Sequence, residues 1–173
     1  MAFKLLKRTK LIKGPIFNVD REWWRGPDGR KFERHTLVHP GAVAILPRDK
    51  QGRYLLIRQF RAACRGNLLE IPAGTIEPGE RALTCAKREL IEEAGYAARR
   101  WKKLGAFYSA PGYSTEKLIV YLAWDLKSAF AEQDEDEHIR LAPMTVTQLR
   151  AAVKKNRIED GKTLGALLLA DVL

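Results

Sequence analysis

Cysteine is scarce, with two among 173 residues. That is too few for a disulfide scaffold, and Cys64 and Cys85 stand at no metal-ligand spacing. Histidine is scarce as well. His35, His39 and His138 suggest neither a catalytic triad nor a metal cluster. No apolar run approaches the ~18–20 residues that cross a bilayer, so no membrane partner is expected. The first residues, MAFKLLKRTKLIKG, carry charge but no apolar stretch ending in a small-residue cleavage site, so no secretion signal is visible. Repeats, low-complexity stretches and Ser/Gly linkers are absent too. These absences lead to the expectation of one soluble protein of a reducing cytoplasm, with a basic segment and hairpin over residues 1–40 and a main domain over 41–173.

Hydrophobic residues make up 46% of the chain, enough to bury a core and to exclude a disordered polymer. The net charge of +10 invites polyanions. It is concentrated in Lys4, Lys7, Arg8, Lys10 and Lys13, and again in Arg99, Arg100, Lys102 and Lys103. Such runs are ordinarily solvated faces, and these lack interleaved aromatics, so nucleic acid is not the expected partner. Negative charge is clustered in Glu132, Asp134, Glu135, Asp136 and Glu137.

Residues 17–37 read as a hairpin turning at RGPDGR. Residues 41–47 (GAVAILP) and 54–60 (YLLIRQF) read as buried strands joined in a hairpin by the turn Asp49-Lys50-Gln51-Gly52. A helix is expected over residues 79–94, strands over 101–110 and 117–126, and helices over 145–155 and 164–173. Strands before, between and after helices predict an α/β domain with a mixed sheet.

The first of these helices carries the chemistry. At ~100° per residue, Leu83, Ala86, Leu90 and Ala94 form an apolar stripe, while Glu89, Glu92 and Glu93 share an adjacent arc. Like charges at this spacing cost a few tenths of a kcal/mol each, and the helix dipole disfavours them near a C-terminus. Arg88 offsets only part of that. A hard divalent cation such as Mg²⁺ suits the cluster, and the bland alternative is a Glu-rich solvated face.

The surrounding residues decide between the two. Gly74, Glu80, Arg88, Glu89, Glu92, Glu93 and Gly95 occupy every fixed charged and glycine position of a pattern that resembles the Nudix box, with Tyr96 departing from its final aliphatic slot. The resemblance implies an α/β/α sandwich that hydrolyses nucleoside diphosphates linked to another moiety, using Mg²⁺ or Mn²⁺. It implies Glu89 and Glu93 as the main metal ligands and Glu92 as a further ligand or near neighbour. Arg88 would orient the glutamates, and Glu80 would support the loop.

The flanks resemble the ADP-ribose (ADP-sugar) pyrophosphatases of that superfamily. Leu69-Glu70-Ile71-Pro72-Ala73-Gly74 is similar to their LExPAG segment, which implies the Ala73 carbonyl as a metal ligand and Glu70 near substrate. Arg58-Gln59-Phe60-Arg61 resembles their RQFR strand, with Arg61 on substrate. Residues 109–116 (SAPGYSTE) resemble a substrate turn that includes Pro111 and Gly112, and Pro111 lies 15 residues beyond Tyr96. Residues 134–140 (DEDEHIR) resemble a catalytic acidic loop. There Glu135 would be the general base and Glu137 a late metal ligand, though the two could exchange roles, or a box glutamate such as Glu92 could be the base. The ending Ile158-Glu159-Asp160-Gly161-Lys162-Thr163 is also similar.

Trp23 and Trp24 are adjacent on a strand and must point to opposite faces. In such enzymes the N-terminal hairpin packs across a homodimer and its aromatics can stack on adenine, which makes Trp24 a candidate substrate contact; interface packing without ligand is the alternative. The activity implied is hydrolysis of ADP-ribose to AMP and ribose 5-phosphate. GDP-mannose or another nucleoside-diphosphate sugar is the nearest rival substrate, and RNA-end pyrophosphohydrolysis is a distant one.

Overall fold

The computed structural model describes residues 2–129 and 139–173 and divides into two compact units, residues 1–41 with 107–117 and residues 42–106 with 118–173. In the first unit, β1 (Lys4–Lys13), β2 (Asn18–Arg25) and β3 (Lys31–Val38) form an antiparallel sheet in that order. The β2–β3 hairpin turns where expected. The basic N-terminal segment, for which no secondary structure was predicted, is a ten-residue strand with every residue exposed. No burial pattern marks such a strand in a sequence; backbone pairing to β2 specifies it. Arg8 anchors it by an ion pair with Asp20, a carboxylate almost wholly buried in β2. Residues 109–116 fold onto β3 through Leu37 N donating to Tyr113 O at 2.7 Å and Thr115 N donating to Leu37 O at 2.9 Å.

The second unit holds two sheets and three helices. A mixed sheet runs β7 (Ala73–Thr75), β4 (Ala42–Pro47), β9 (Lys117–Ser128), β8 (Tyr96–Tyr108), with β4 parallel to β9 and antiparallel to β7. A second, antiparallel sheet runs β10 (Arg140–Met144), β5 (Tyr54–Arg61), β6 (Gly66–Glu70). The strands expected to pair as one hairpin, β4 and β5, are buried as predicted, and the Asp49 turn forms between them. They nevertheless part into different sheets, sharing only the bridge Arg48–Tyr54. β4 and the first half of β5, residues 54–57, are buried on both faces and so have covering layers to reach on either side, which a simple hairpin does not supply.

Helix α1 (Ala82–Ala94) packs on β4, β7 and β5. Cys85, Ala86, Leu90 and Ala94 join Val43, Ile45, Leu55, Tyr121, Ala123 and Leu126 in one core cluster. Leu83, expected in this stripe, is 37% exposed, and Cys85 takes its place. The helix begins at Ala82 rather than Gly79 and ends at Gly95, whose φ of 72° lets its N–H reach the Ile91 carbonyl. Helix α2 (Val146–Lys154) starts on a capping box in which the Thr145 hydroxyl and the Gln148 side chain exchange hydrogen bonds with each other's backbone N–H. Helix α3 (Gly161–Leu169) begins earlier than the apolar run suggested, because Asp160 caps it by accepting from Thr163 N at 3.0 Å. It packs on β4. No helix among the described residues is long and apolar enough to cross a membrane.

Candidate active site

The loop entering α1 and the far end of α1 meet through backbone. Ala73 N donates to Glu93 Oε2 at 2.8 Å, which ties a helix carboxylate to β7 next to the Ala73 carbonyl. Gly74 is the next residue, and a Cβ built on it would lie 1.8 Å from the Glu89 carboxyl. Only a residue without a side chain leaves room for Glu89 there. Glu89 and Glu93 are both buried, an unusual setting for carboxylates unless they are paired or reserved for a cation.

Arg88 is the local counter-ion. Its Nη1 donates to Glu89 Oε1 at 2.7 Å and to Glu92 Oε2 at 2.9 Å, and its Nη2 approaches Glu80 Oε2 at 3.3 Å. Burial opposes the Arg88 charge, but the three carboxylates outweigh it and keep the guanidinium protonated far above any working pH. The hydrogen bond from Arg88 in turn holds the Glu80 carboxyl below its ordinary range. One positive charge faces three negative ones here, with Glu93 close behind. Among the described residues no three His, Cys, Asp or Glu side chains already converge as a closed metal shell. The donor set nevertheless suits a hard divalent cation: carboxylate oxygens in excess of their counter-ion, beside a backbone carbonyl. The Cys85 thiol lies 3.4 Å from the Thr75 carbonyl, and burial pushes its pKa up to about 12, so it stays a neutral packing group.

A second ionic cluster surrounds Glu70, which is fully buried. Arg61 grips it with two parallel bonds, Nε to Oε1 and Nη2 to Oε2, both at 2.8 Å. Lys162 Nζ pairs with the same carboxylate and lies 3.1 Å from Asp160 Oδ1. Burial is the largest influence on Glu70 and disfavours its charge, yet Arg61 and Lys162 together reverse this and hold its pKa below the ordinary value. Arg61 also feels the negative charges of Glu93 and Asp160. Sequence reasoning singled out Arg61 and Glu70 but gave Lys162 and Asp160 no role. The partners stand 92 positions apart, and only the docking of α3 joins them.

In the first unit, Trp24, Pro111 and Gly112 line one pocket of about 360 Å³ together with Glu22 and Thr36. Trp23 points away, 39% exposed. Glu22 Oε2 accepts from Trp24 Nε1 and from Thr36 Oγ1, each at 3.1 Å, which fixes the indole. Glu22 was not foreseen, although its place two residues before Trp24 puts it on the same strand face. Glu135 and Glu137 lie outside the described residues.

The chain has clear relatives. Residues 38–166 match the model of the NUDIX domain. An ADP-ribose pyrophosphatase of Bacillus subtilis is 34% identical over 95% of this chain and 90% of its own length. A GDP-mannose pyrophosphatase of Citrobacter koseri is 35% identical over 72% of this chain and 69% of its own. A crystal structure described as an ADP compounds hydrolase superposes with a TM-score of 0.88, covering 99% of this chain and 93% of that one at 24% identity, a likeness of fold. The chain belongs to the NUDIX domain family and is related along nearly its whole length to an ADP-ribose pyrophosphatase.

Proposed function

We propose that this protein is a Mg²⁺-dependent ADP-ribose pyrophosphatase, with Mn²⁺ able to substitute, that converts ADP-ribose and water to AMP and ribose 5-phosphate. The observation that carries the reading is the junction of Ala73-Gly74 with α1, where Glu93 bonds Ala73 N and Glu89 fills the space that a Gly74 side chain would take. Glu89, Glu92, Glu93 and the Ala73 carbonyl would hold the metal, which when bound neutralises charge on the pyrophosphate and polarises water. Arg88 aims Glu89 and Glu92 through its hydrogen bonds to both. Arg61 presents guanidinium N–H groups to a phosphate, since its grip on Glu70 uses two of five. Trp24 offers a face for base stacking beside Pro111 and Gly112. Glu135 is assigned as the base that takes the water's proton, and Glu137 as a late ligand, both on sequence grounds.

ADP-ribose is preferred over GDP-mannose because the ADP-ribose relative matches along nearly the whole chain, whereas the GDP-mannose relative matches a shorter stretch. We assign a cytoplasmic homodimer built on the N-terminal sheet, whose β1 leaves Leu5, Leu6, Leu11 and Ile12 exposed on a single ten-residue strand. Light scattering at micromolar concentration should then give twice the chain mass. Hydrolysis of ADP-ribose and GDP-mannose side by side, with and without Mg²⁺, tests the substrate. AMP and ribose 5-phosphate formed only with metal, and faster than GMP from GDP-mannose, is expected. The reverse preference would move the reading to GDP-mannose.

A further inference from the structure

We infer that the turn Asp160-Gly161-Lys162-Thr163, at the start of α3, is a positioning device for Arg61, with Lys162 as its acting residue. The inference rests on the reading of Arg61 as a substrate contact and adds to it a residue to which no role has been given. Two independent ties join this turn to the strand leading into the site. Thr163 is fully buried, and its hydroxyl accepts from Ile71 N at 2.9 Å while donating to Asp160 Oδ2 at 2.5 Å. Lys162 reaches the neighbouring residue, Glu70, and is held from behind by Asp160. The turn therefore grips residues 70 and 71, three and two positions before the Ala73 that meets Glu93.

Charge explains what the grip does to Arg61. Glu70 has no solvent to share its charge with, so its only neutralisation comes from side chains. With Lys162 present, two cations divide one carboxylate, and Arg61, 38% exposed at its side chain, can turn its remaining N–H groups outward. Without Lys162, Arg61 becomes the sole counter-ion of a buried carboxylate that it already grips with two bonds, so more of its charge is spent on Glu70 and less is left for an incoming phosphate. Lys162 contacts Glu70, not Arg61's outward edge, so it acts through the ion pair.

The test is a double-mutant cycle on the full-length protein with ADP-ribose and Mg²⁺. Lys162→Met should raise KM about tenfold while kcat stays within about twofold, the pattern of a lost binding contact rather than of a loosened fold. Lys162→Arg, which keeps the charge, should restore most of the affinity. Arg61→Gln should raise KM at least as much, and adding Lys162→Met to it should do little more, because Lys162 works through Arg61. An additive double variant, or a normal KM in Lys162→Met where Arg61→Gln is impaired, would overturn the positioning role. A normal KM in Arg61→Gln would instead remove the reading beneath it, and the inference with it. Should Lys162→Met fold poorly, the Arg61 Nε–H NMR resonance, assigned by its loss in Arg61→Gln, should move in Lys162→Gln; an unmoved resonance would overturn the role.

Discussion

Two ionic clusters in the second unit are built around central groups of opposite charge. Around Arg88, one guanidinium serves Glu80, Glu89 and Glu92, with Glu93 held against the Ala73 backbone nearby. Around Glu70, one buried carboxylate serves both Arg61 and Lys162, with Asp160 as a second partner of Lys162 and Glu93 also bearing on Arg61. A surplus of buried carboxylate oxygen calls for a cation, and a shared arginine with N–H groups to spare calls for an anion. On the proposed function, a pyrophosphate carried on divalent metal would satisfy both at once. Neither cluster is best understood as a stability device, since buried ion pairs are weak sources of net stability.

The difference can be broken first on the carboxylate side. Glu93→Gln keeps the shape and the bond to Ala73 N but removes a charge, so kcat with Mg²⁺ should fall by about a thousandfold while circular dichroism stays native. Gly74→Ala should be nearly as damaging in a different way. The added Cβ meets the tip of a flexible side chain rather than backbone, so Glu89 swings aside, costing about a hundredfold in kcat but only a few degrees in Tm. Arg88→Ala sharpens the contrast: stripped of their counter-ion, the carboxylates repel, and the Tm without metal should drop by about 5 °C or more. Saturating Mg²⁺ should recover more of that loss than it adds to the wild type.

On the other side, pH separates the roles. The folded-state pKa of Glu70 is held below its ordinary value, so its stabilisation is present above that ordinary value and is lost as pH falls through the folded one. Arg61→Gln should therefore lower Tm by about 3–6 °C at pH 7, and the gap from wild type should narrow on acidification below about pH 4. A gap that widens in acid would mean that Glu70 is not charged in the fold. The smallest effect concerns the two thiols. Cys64 is exposed and Cys85 buried with its pKa near 12, so a maleimide at pH 7.5 should label about one thiol per native chain.

Much of the carboxylate cluster was legible in the sequence because it lies within one helix and the loop before it, where spacing alone sets which side chains share a face. The reach of Glu93 to Ala73 N was not, since it needs β7 and α1 to be packed together. The Glu70 cluster was only half legible. Arg61 and Glu70 sit on neighbouring strands, but Lys162 arrives from the last helix, and no local pattern encodes that docking. The same reason hid β1, whose ten exposed residues leave no trace of pairing in their hydropathy. Leu83 was misplaced because the buried face of α1 holds Cys85, Ala86, Glu89, Leu90, Glu93 and Ala94, an arc at whose edge Leu83 falls at ~100° per residue.

Mn²⁺ binding followed by electron paramagnetic resonance, on wild type and Glu93→Gln without nucleotide, tests the cation side most directly. The arrangement predicts bound Mn²⁺ in the wild type, competed by Mg²⁺, and affinity at least about tenfold weaker in the variant. Equal affinity in the two proteins would contradict it, and the buried glutamates of α1 would then be a structural face rather than a metal site.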